Sequence, residues 1–460
     1  MNRGSWGSRL GFILAVAGSA VGLANIWRFP YVVGQNGGAA FIALYLVCLV
    51  LIGFPVFISE ILIGRTTQTS PSGAFAELGR SRVWGLAGKL TILTGFIVSA
   101  FYSAVAGWIL GYLVEAINGR ISVFESSAAV VSHYEALMDN PLWGLSFHFF
   151  FLAACCGVLF LGVRSGIERA NKIMMPLLFC LLIFLAIWGL NMPNAHKGLA
   201  FLLAPDWSAL TPQAILMALG QAFFTLSLGQ GTMVTYGSYL NKKENLISSC
   251  IPVVFMDTAV SLIAAIAVFT IVFSVELKPD SGPGLIFHTL PWVFSQIPFG
   301  HAVAVFFFLL VVLAALSSEI SAMEPTIAYL MDEWGWKRKP AVIVTGGCAF
   351  LLGIPAALSY SVLKDQTIAG MSYLDIMSFA ATSILIPIGG LCAVVLVGWR
   401  WGMTHALGEL KDGAADIFNK NPWLSRYFWF CIRYSAPVLI VLVILNEIFA
   451  QFLAFFSSGA

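Results

Sequence analysis

Predominantly apolar stretches of about twenty positions or more recur along this chain, with most charged residues gathered between them. Neither strict alternation nor a one-sided helical stripe describes that pattern. It predicts helices that have lipid as their solvent, each needing about 20 residues to cross the hydrocarbon. Eleven such spans are predicted, at 10–34, 38–64, 86–117, 143–162, 167–190, 212–239, 245–275, 300–331, 340–357, 373–400 and 426–455. Several are longer than a crossing requires, which predicts tilt or extension into water. The segment 282–297 is apolar but short and carries internal prolines, so it reads as a re-entrant or surface hairpin between the seventh and eighth spans. The first run reads as a span and not as a signal peptide, because no small-residue cleavage site separates it from a polar mature stretch.

Composition agrees with this. Of 460 residues 59% are hydrophobic and 10% charged, and the mean hydropathy is +0.89; soluble domains carry about a quarter charged residues. Basic residues are unevenly placed. With the N-terminus in the cytoplasm, 18 of the 24 lysines and arginines fall on the cytoplasmic side, and Arg120, Lys197, Lys278 and Lys364 on the outer side. That asymmetry predicts the orientation and supports an odd number of spans. A net charge of +2 points to no nucleic-acid partner. The eight cysteines all lie in apolar runs without metal-site or paired spacing, and read as packing residues. No HExxH, GxSxG or Walker A motif points to an enzyme.

Two spans are interrupted near their centres. The first reads Ala17-Gly18-Ser19-Ala20-Val21-Gly22-Leu23-Ala24-Asn25, and the sixth reads Thr225-Leu226-Ser227-Leu228-Gly229-Gln230-Gly231. If the first ten spans form two halves of five, these are span one of each half, and the odd number inverts the second half. Paired glycine-rich interruptions at matching positions are the sequence pointer to a substrate site in an inverted-repeat transporter. The physics is specific: freed carbonyls can coordinate a small cation, and the N-terminus of the following half-helix offers N–H groups and a positive dipole end to a carboxylate. An amino-acid zwitterion with Na⁺ fits, as do other small carboxylates.

The stretch from Trp6 to Pro30, NGGAAF at 36–41, GQAFFTLSLGQG at 220–231, TYGSYL at 235–240, Ser317-Ser318 and Glu324-Pro325 resemble the neurotransmitter:sodium symporters in their bacterial, LeuT-like branch. The resemblance covers nearly the whole chain. It implies one all-α transporter domain over 1–460 with a LeuT-type inverted five-helix repeat, 10–190 and 212–400, helices one and six unwound at mid-membrane, and an eleventh helix at 426–455. It also implies the bacterial inner membrane, alternating access and two sodium ions. The first ion would be held by the Ala20 carbonyl, Asn25, Thr225 and Asp257 with the substrate carboxylate. The second would use the carbonyls of Gly18, Val21 and Ala314 and the hydroxyls of Ser317 and Ser318. Asp257 stands where relatives place asparagine, beside the family's chloride position, whose ligands would be Tyr45, Gln221, Thr225 and Ser261. A carboxylate there would supply the negative charge itself, so chloride is not expected to be required.

In monoamine carriers of the family an aspartate occupies the position of Gly22, so its absence favours an α-amino acid. Its carboxylate would sit on the N–H groups of Gly22 and Leu23 with the Tyr102 hydroxyl. Its amine would meet carbonyls of the breaks (Ala20, Thr225) near Ser227. Val98, Tyr102, Phe224, Ser227, Gln230, Ser318 and Ala322 would line the side-chain pocket, with Ala322 opening volume and Gln230 either adding a polar handle or turning away to satisfy the broken backbone. This suits a neutral, hydrophobic, medium-to-large L-amino acid; an osmolyte or amino-acid derivative of the betaine or GABA type is the alternative. Arg28 and Asp375 would form the outer gate under the aromatic lid of Tyr102 and Phe224, and Arg3, Trp6, Tyr239 and Asp332 the inner gate. Gly166 and Pro176 would allow helix five to unwind. Glu60 and Glu324 would organise packing near the sites, while Glu115, Glu319 and Arg433 have no role assigned.

Overall fold

In hydrocarbon each backbone N–H and C=O must find its partner within the chain, which leaves helices as the form open to such apolar runs. The computed structural model describes residues 4–275, 285–368 and 370–458, and among them there is no strand, only the isolated bridges Gly38–Pro205 and Ile368–Met371. In chain order the helices are α1 (Arg9–Ala20), α2 (Ala24–Gln35), α3 (Ala39–Thr67), α4 (Pro71–Gly79), α5 (Arg82–Ile117) and α6 (Ser127–Met138). There follow α7 (Pro141–Phe160), α8 (Val163–Leu190), α9 (Ala195–Leu203), α10 (Pro212–Phe224), α11 (Thr232–Ser238) and α12 (Leu246–Phe273). The last six are α13 (285–296), α14 (Gly300–Glu333), α15 (Arg338–Ala357), α16 (Tyr373–Lys411), α17 (Ala415–Lys420) and α18 (423–458). Helix starts follow the local sequence. Ser8, Ser81, Asn140, Thr211, Asn245 and Ser372 each accept a first-turn N–H, and Pro141 and Pro212 occupy first positions where no N–H is needed.

Among the described residues nine helices are long and apolar enough to cross a membrane, and the pair α1–α2, bent by 55°, makes a tenth. The expected sixth span is two short helices, α10 and α11, on either side of the non-helical residues 225–231, and neither half is long enough alone. Four short helices, α4, α6, α9 and α17, lie in stretches that the apolar pattern leaves as connections, and α16 runs eleven residues past the predicted end at 400. The part of 282–297 within the described residues is a helical segment packed on α14, not a hairpin.

Burial sorts the helices into centre and rim. In the apolar window of α5 72% of residues are buried and in that of α14 67%, against 28% for α18. Helices α5 and α14 pack on each other at the centre. Rim helices turn Val47, Val50, Phe149, Phe150, Leu442 and Leu445 outward, as lipid-facing surface requires.

One buried cation ties the connections together. Arg65, fully buried at the end of α3, donates to the carbonyls of Glu244 (2.6 Å) and Asp412 (3.4 Å) and to the Glu409 carbonyl, with the Glu409 carboxylate at 3.4 Å. Its guanidinium fork thereby joins the connection before α12 to the end of α16. Arg65→Ala is expected to cost about 3–5 kcal/mol, since it leaves those acceptors unpaired; the measurement is thermal unfolding in detergent, with Arg65→Lys restoring part of the loss.

Candidate functional site

The first break begins where Val21 turns extended (φ −74°, ψ 103°) after α1. Gly22 donates its N–H to Asn25 Oδ1 (3.0 Å), and the Leu23 N–H faces the Tyr102 hydroxyl at 3.4 Å. A Cβ at Gly22 would fall 2.7 Å from Ser318 Oγ and 3.3 Å from Tyr102 Oη, so a side chain there would have to displace the Ser318 hydroxyl. The second break turns left-handed at Ser227 (φ 52°), Gly229 (75°) and Gly231 (77°). Left-handed backbone cannot continue a helix, so donors are released. Glu60 Oε1 takes up one, the Gly229 N–H, at 2.7 Å, and Ser227 Oγ links the breaks by donating to the Ser19 carbonyl at 2.8 Å.

Two oxygen clusters flank the breaks. In the first, the buried Asn25 amide reaches Asp257 Oδ1 (2.7 Å), Ser261 Oγ (2.9 Å) and Thr225 Oγ1 (3.1 Å), while Thr225 Oγ1 donates to both Asp257 oxygens (3.0 and 2.9 Å). Asn25, Thr225 and Asp257 are therefore together, as anticipated. The buried Tyr45 and Gln221 have a hydroxyl and an amide with no hydrogen-bond partner among the described residues. In the second cluster Ser318 Oγ lies 3.4 Å from the Gly18 carbonyl and 3.2 Å from those of Ser19 and Val21, and Ser317 Oγ lies 3.0 Å from the Ala314 carbonyl. The amide of Asn171, which sequence reasoning passed over, adjoins this cluster. Its Oδ1 is unpartnered and would sit 2.1 Å from a Cβ at Gly18. Both sets are hard oxygen ligands, the donor type that a sodium ion takes.

Between the breaks lies a cavity of about 50 Å³ lined by Ala20, Gly22, Leu23, Val98, Tyr102, Phe224, Ser227, Gln230, Ser318, Glu319 and Ala322 among others. Every side chain expected to line the side-chain pocket is there; Glu319 was not expected. Tyr102 and Phe224 also line a larger vestibule of about 400 Å³, so they form the partition between the two spaces.

Arg28 and Asp375, the two residues expected at the outer gate, both face that vestibule without an ion pair between them. Asp375 accepts from Ser372 Oγ (2.6 Å) in the cap of its own helix, and the Arg28 guanidinium stands over the Phe224 ring, 5.4 Å from its centroid. Arg28 instead shares a lateral cavity with Glu447 of α18, an acid in an apolar run that sequence reasoning left out.

The opposite end is closed. Trp6 donates from its indole to the Tyr236 carbonyl (3.0 Å) and from its backbone to the Tyr239 carbonyl (3.2 Å). The Tyr239 hydroxyl donates to Glu324 (2.7 Å), which Arg338 grips with two bonds of 2.8 and 2.7 Å. Arg338 was missed because it begins a span and looks like an ordinary boundary charge. Asp332 accepts from the Ser70 N–H (2.8 Å), and Arg3 lies outside the described residues. Gly7 and Ser8 dock on Glu168 at 2.6 and 2.9 Å. Helix α8 is unbroken through Gly166, in the wide turn Val163–Glu168, and Pro176. Two further charges find structural partners: Glu115 holds Arg120 (3.1 Å) and faces His133 (3.5 Å), and Arg433 lies over Trp399, Trp429 and Tyr434.

The model of the sodium:neurotransmitter symporter family matches residues 3–135 and 140–455. The chain belongs to the sodium:neurotransmitter symporter family. It is thus a multi-pass membrane protein of a sodium-coupled transporter family, not an enzyme. It is similar to the sodium-dependent transporter YhdH of Bacillus subtilis, 38% identical over 96% of this chain and 97% of that one. The human sodium- and chloride-dependent GABA transporter 2 is 26% identical over 93% of this chain and 78% of its own length. Among solved structures, MhsT in complex with L-phenylalanine is 43% identical, covers 97% of this chain and 100% of its own, and superposes with a TM-score of 0.87. The fold is all-helical and of the LeuT type, as its symporter relatives led us to expect.

Gly22→Ala should insert a methyl against Ser318 and Tyr102. Overpacking of this kind costs about 1–3 kcal/mol of stability, so the unfolding temperature of the purified variant in detergent is expected to fall below that of the unsubstituted protein.

Proposed function

We propose that this symporter carries a neutral L-amino acid inward together with Na⁺ by alternating access. The observation that carries the reading is the small cavity between two broken helices, where the N–H groups of Gly22 and Leu23 are held by side chains rather than by a helix, with an oxygen cluster on either side. A zwitterion matches that arrangement end for end. Its carboxylate meets the N–H groups and the first sodium, held by the Ala20 carbonyl, Asn25, Thr225 and Asp257; its amine meets break carbonyls near Ser227. The second sodium lies with Gly18, Val21, Ala314, Ser317 and Ser318. The relative solved with L-phenylalanine supports an amino acid over an osmolyte, and glycine at position 22, which offers no carboxylate to an amine, supports it over a monoamine.

In this reading the chain crosses a bacterial inner membrane eleven times with its N-terminus in the cytoplasm, and α1–α2 and α10–α11 are the unwound first helices of two inverted five-helix repeats, 10–190 and 212–400. The open vestibule above Tyr102 and Phe224 then faces outward. The Trp6, Tyr239 and Glu324 network closes the inner side, in the gate to which the family resemblance also assigns Arg3 and Asp332. Inward opening requires that network to part and α8 to melt between Gly166 and Pro176. Arg28 meets Asp375 when the outer side shuts.

A thermal-shift screen against the twenty amino acids tests the reading. At least one is expected to raise the unfolding temperature in Na⁺ and none in K⁺, because linkage makes a coupled ligand stabilise only with its ion. No Na⁺-dependent shift with any of them would overturn it. Asp257 further implies that chloride is not needed, so uptake into proteoliposomes is expected to be unchanged in gluconate. A carboxylate about 4 Å from Na⁺ contributes about 4 kcal/mol at an effective dielectric constant of about 20. Asp257→Asn is therefore expected to raise the Na⁺ concentration for half-maximal binding tenfold or more.

A further inference from the structure

We propose that Glu319 and Gln230 make the central pocket selective for an amino acid whose side chain carries a hydrogen-bonding group, a hydroxyl, amide or indole N–H, over an apolar side chain of the same shape. The inference rests on the amino-acid reading and departs from the hydrophobic side chain that Ala322 by itself suggests.

Glu319 is fully buried, lines the cavity, and receives a short hydrogen bond on Oε1 from Ser99 of α5; its Oε2 has no partner among the described residues. Gln230 is 6% exposed, lines the same cavity, and its Oε1 is likewise unpartnered. The two groups belong to one wall. Gly95, one turn before Ser99 on α5, has the Gln230 and Ala322 carbonyls 2.7 and 3.3 Å from its Cβ position, and Ala322 follows Glu319 by three residues on α14. No lysine, arginine or histidine lines the cavity, so neither group is matched to a basic side chain there.

A buried polar atom left unpaired costs about 1–3 kcal/mol. An apolar side chain would seal both groups away from water without a partner. A side chain that can donate or accept at its far end satisfies them: the amide can do either, and the carboxyl accepts when ionised and also donates when protonated. With the α-carboxylate and amine held at the breaks, the substrate side chain is directed to the α5–α14 wall, where these groups stand.

The test uses full-length protein in Na⁺ and four near-isosteric pairs: threonine and valine, asparagine and leucine, glutamine and methionine, tyrosine and phenylalanine. In the wild type, the polar member of at least one pair is expected to bind about tenfold or more tightly. Glu319→Ala should bring that ratio close to one while binding stays Na⁺-dependent, and Glu319→Gln, which keeps the shape and an acceptor, should retain most of it. A purely structural Glu319 would weaken both members alike and leave the ratio unchanged, which would overturn the proposal. So would apolar members that equal or exceed their partners in every pair, a result that needs no variant to fold. An absence of Na⁺-dependent binding for all eight and for the other twelve amino acids, tryptophan included, would overturn the proposal and the amino-acid reading together, a pattern distinct from either of those.

Discussion

Backbone groups freed in a low-dielectric interior must be satisfied by something other than a helix, and this structure is organised around meeting that demand at two places. Residues 21–23 and 225–231 interrupt helices that a continuous hydrogen-bond ladder would otherwise complete. Side chains from four other helices reach in to compensate. Glu60 of α3 accepts from Gly229, Tyr102 of α5 faces the Leu23 N–H, Ser318 of α14 meets the Val21 carbonyl and two carbonyls of the last turn of α1, and Asp257 of α12 gathers Asn25 and Thr225. Those contacts explain why α5 and α14, buried along most of their length, form the centre of the molecule.

The same demand explains why the breaks can serve as a site. Carbonyls and hydroxyls that bond one another here are oxygen donors of the type a hard cation takes, and the Asn25 amide stands against Asp257 and Thr225 in one of the two clusters. The ends of the molecule are unequal. One is sealed by Trp6, Tyr239, Glu324 and Arg338, while at the other Arg28 and Asp375 each have a different partner and a vestibule reaches down to Tyr102 and Phe224.

Much of this was legible along the chain. Long apolar runs lead directly to helices in lipid, and the glycine-rich interruptions mark where α1–α2 and α10–α11 are broken. The residues expected around the first ion, Asn25, Thr225 and Asp257, come from three separated segments and meet within hydrogen-bonding distance. Short helices such as α4 and α9 escaped notice because a few apolar residues inside a polar connection carry too little periodic signal. Arg338, Asn171 and Glu447 escaped because their meaning depends on what faces them.

The class of environment and the location of the breaks follow from local composition alone: lipid demands long apolar stretches, and left-handed backbone favours the glycines found at 229 and 231, although Ser227 adopts it as well. Tertiary structure alone decided which polar groups were answered and which were not. Glu324 and Glu319 look alike as acids on one helix, five residues apart. The first is gripped by Arg338 and Tyr239, and the second lines the cavity with one oxygen unpartnered. That difference comes from the side chains that neighbouring helices bring to each face of α14, a matter of packing that no reading of one helix contains.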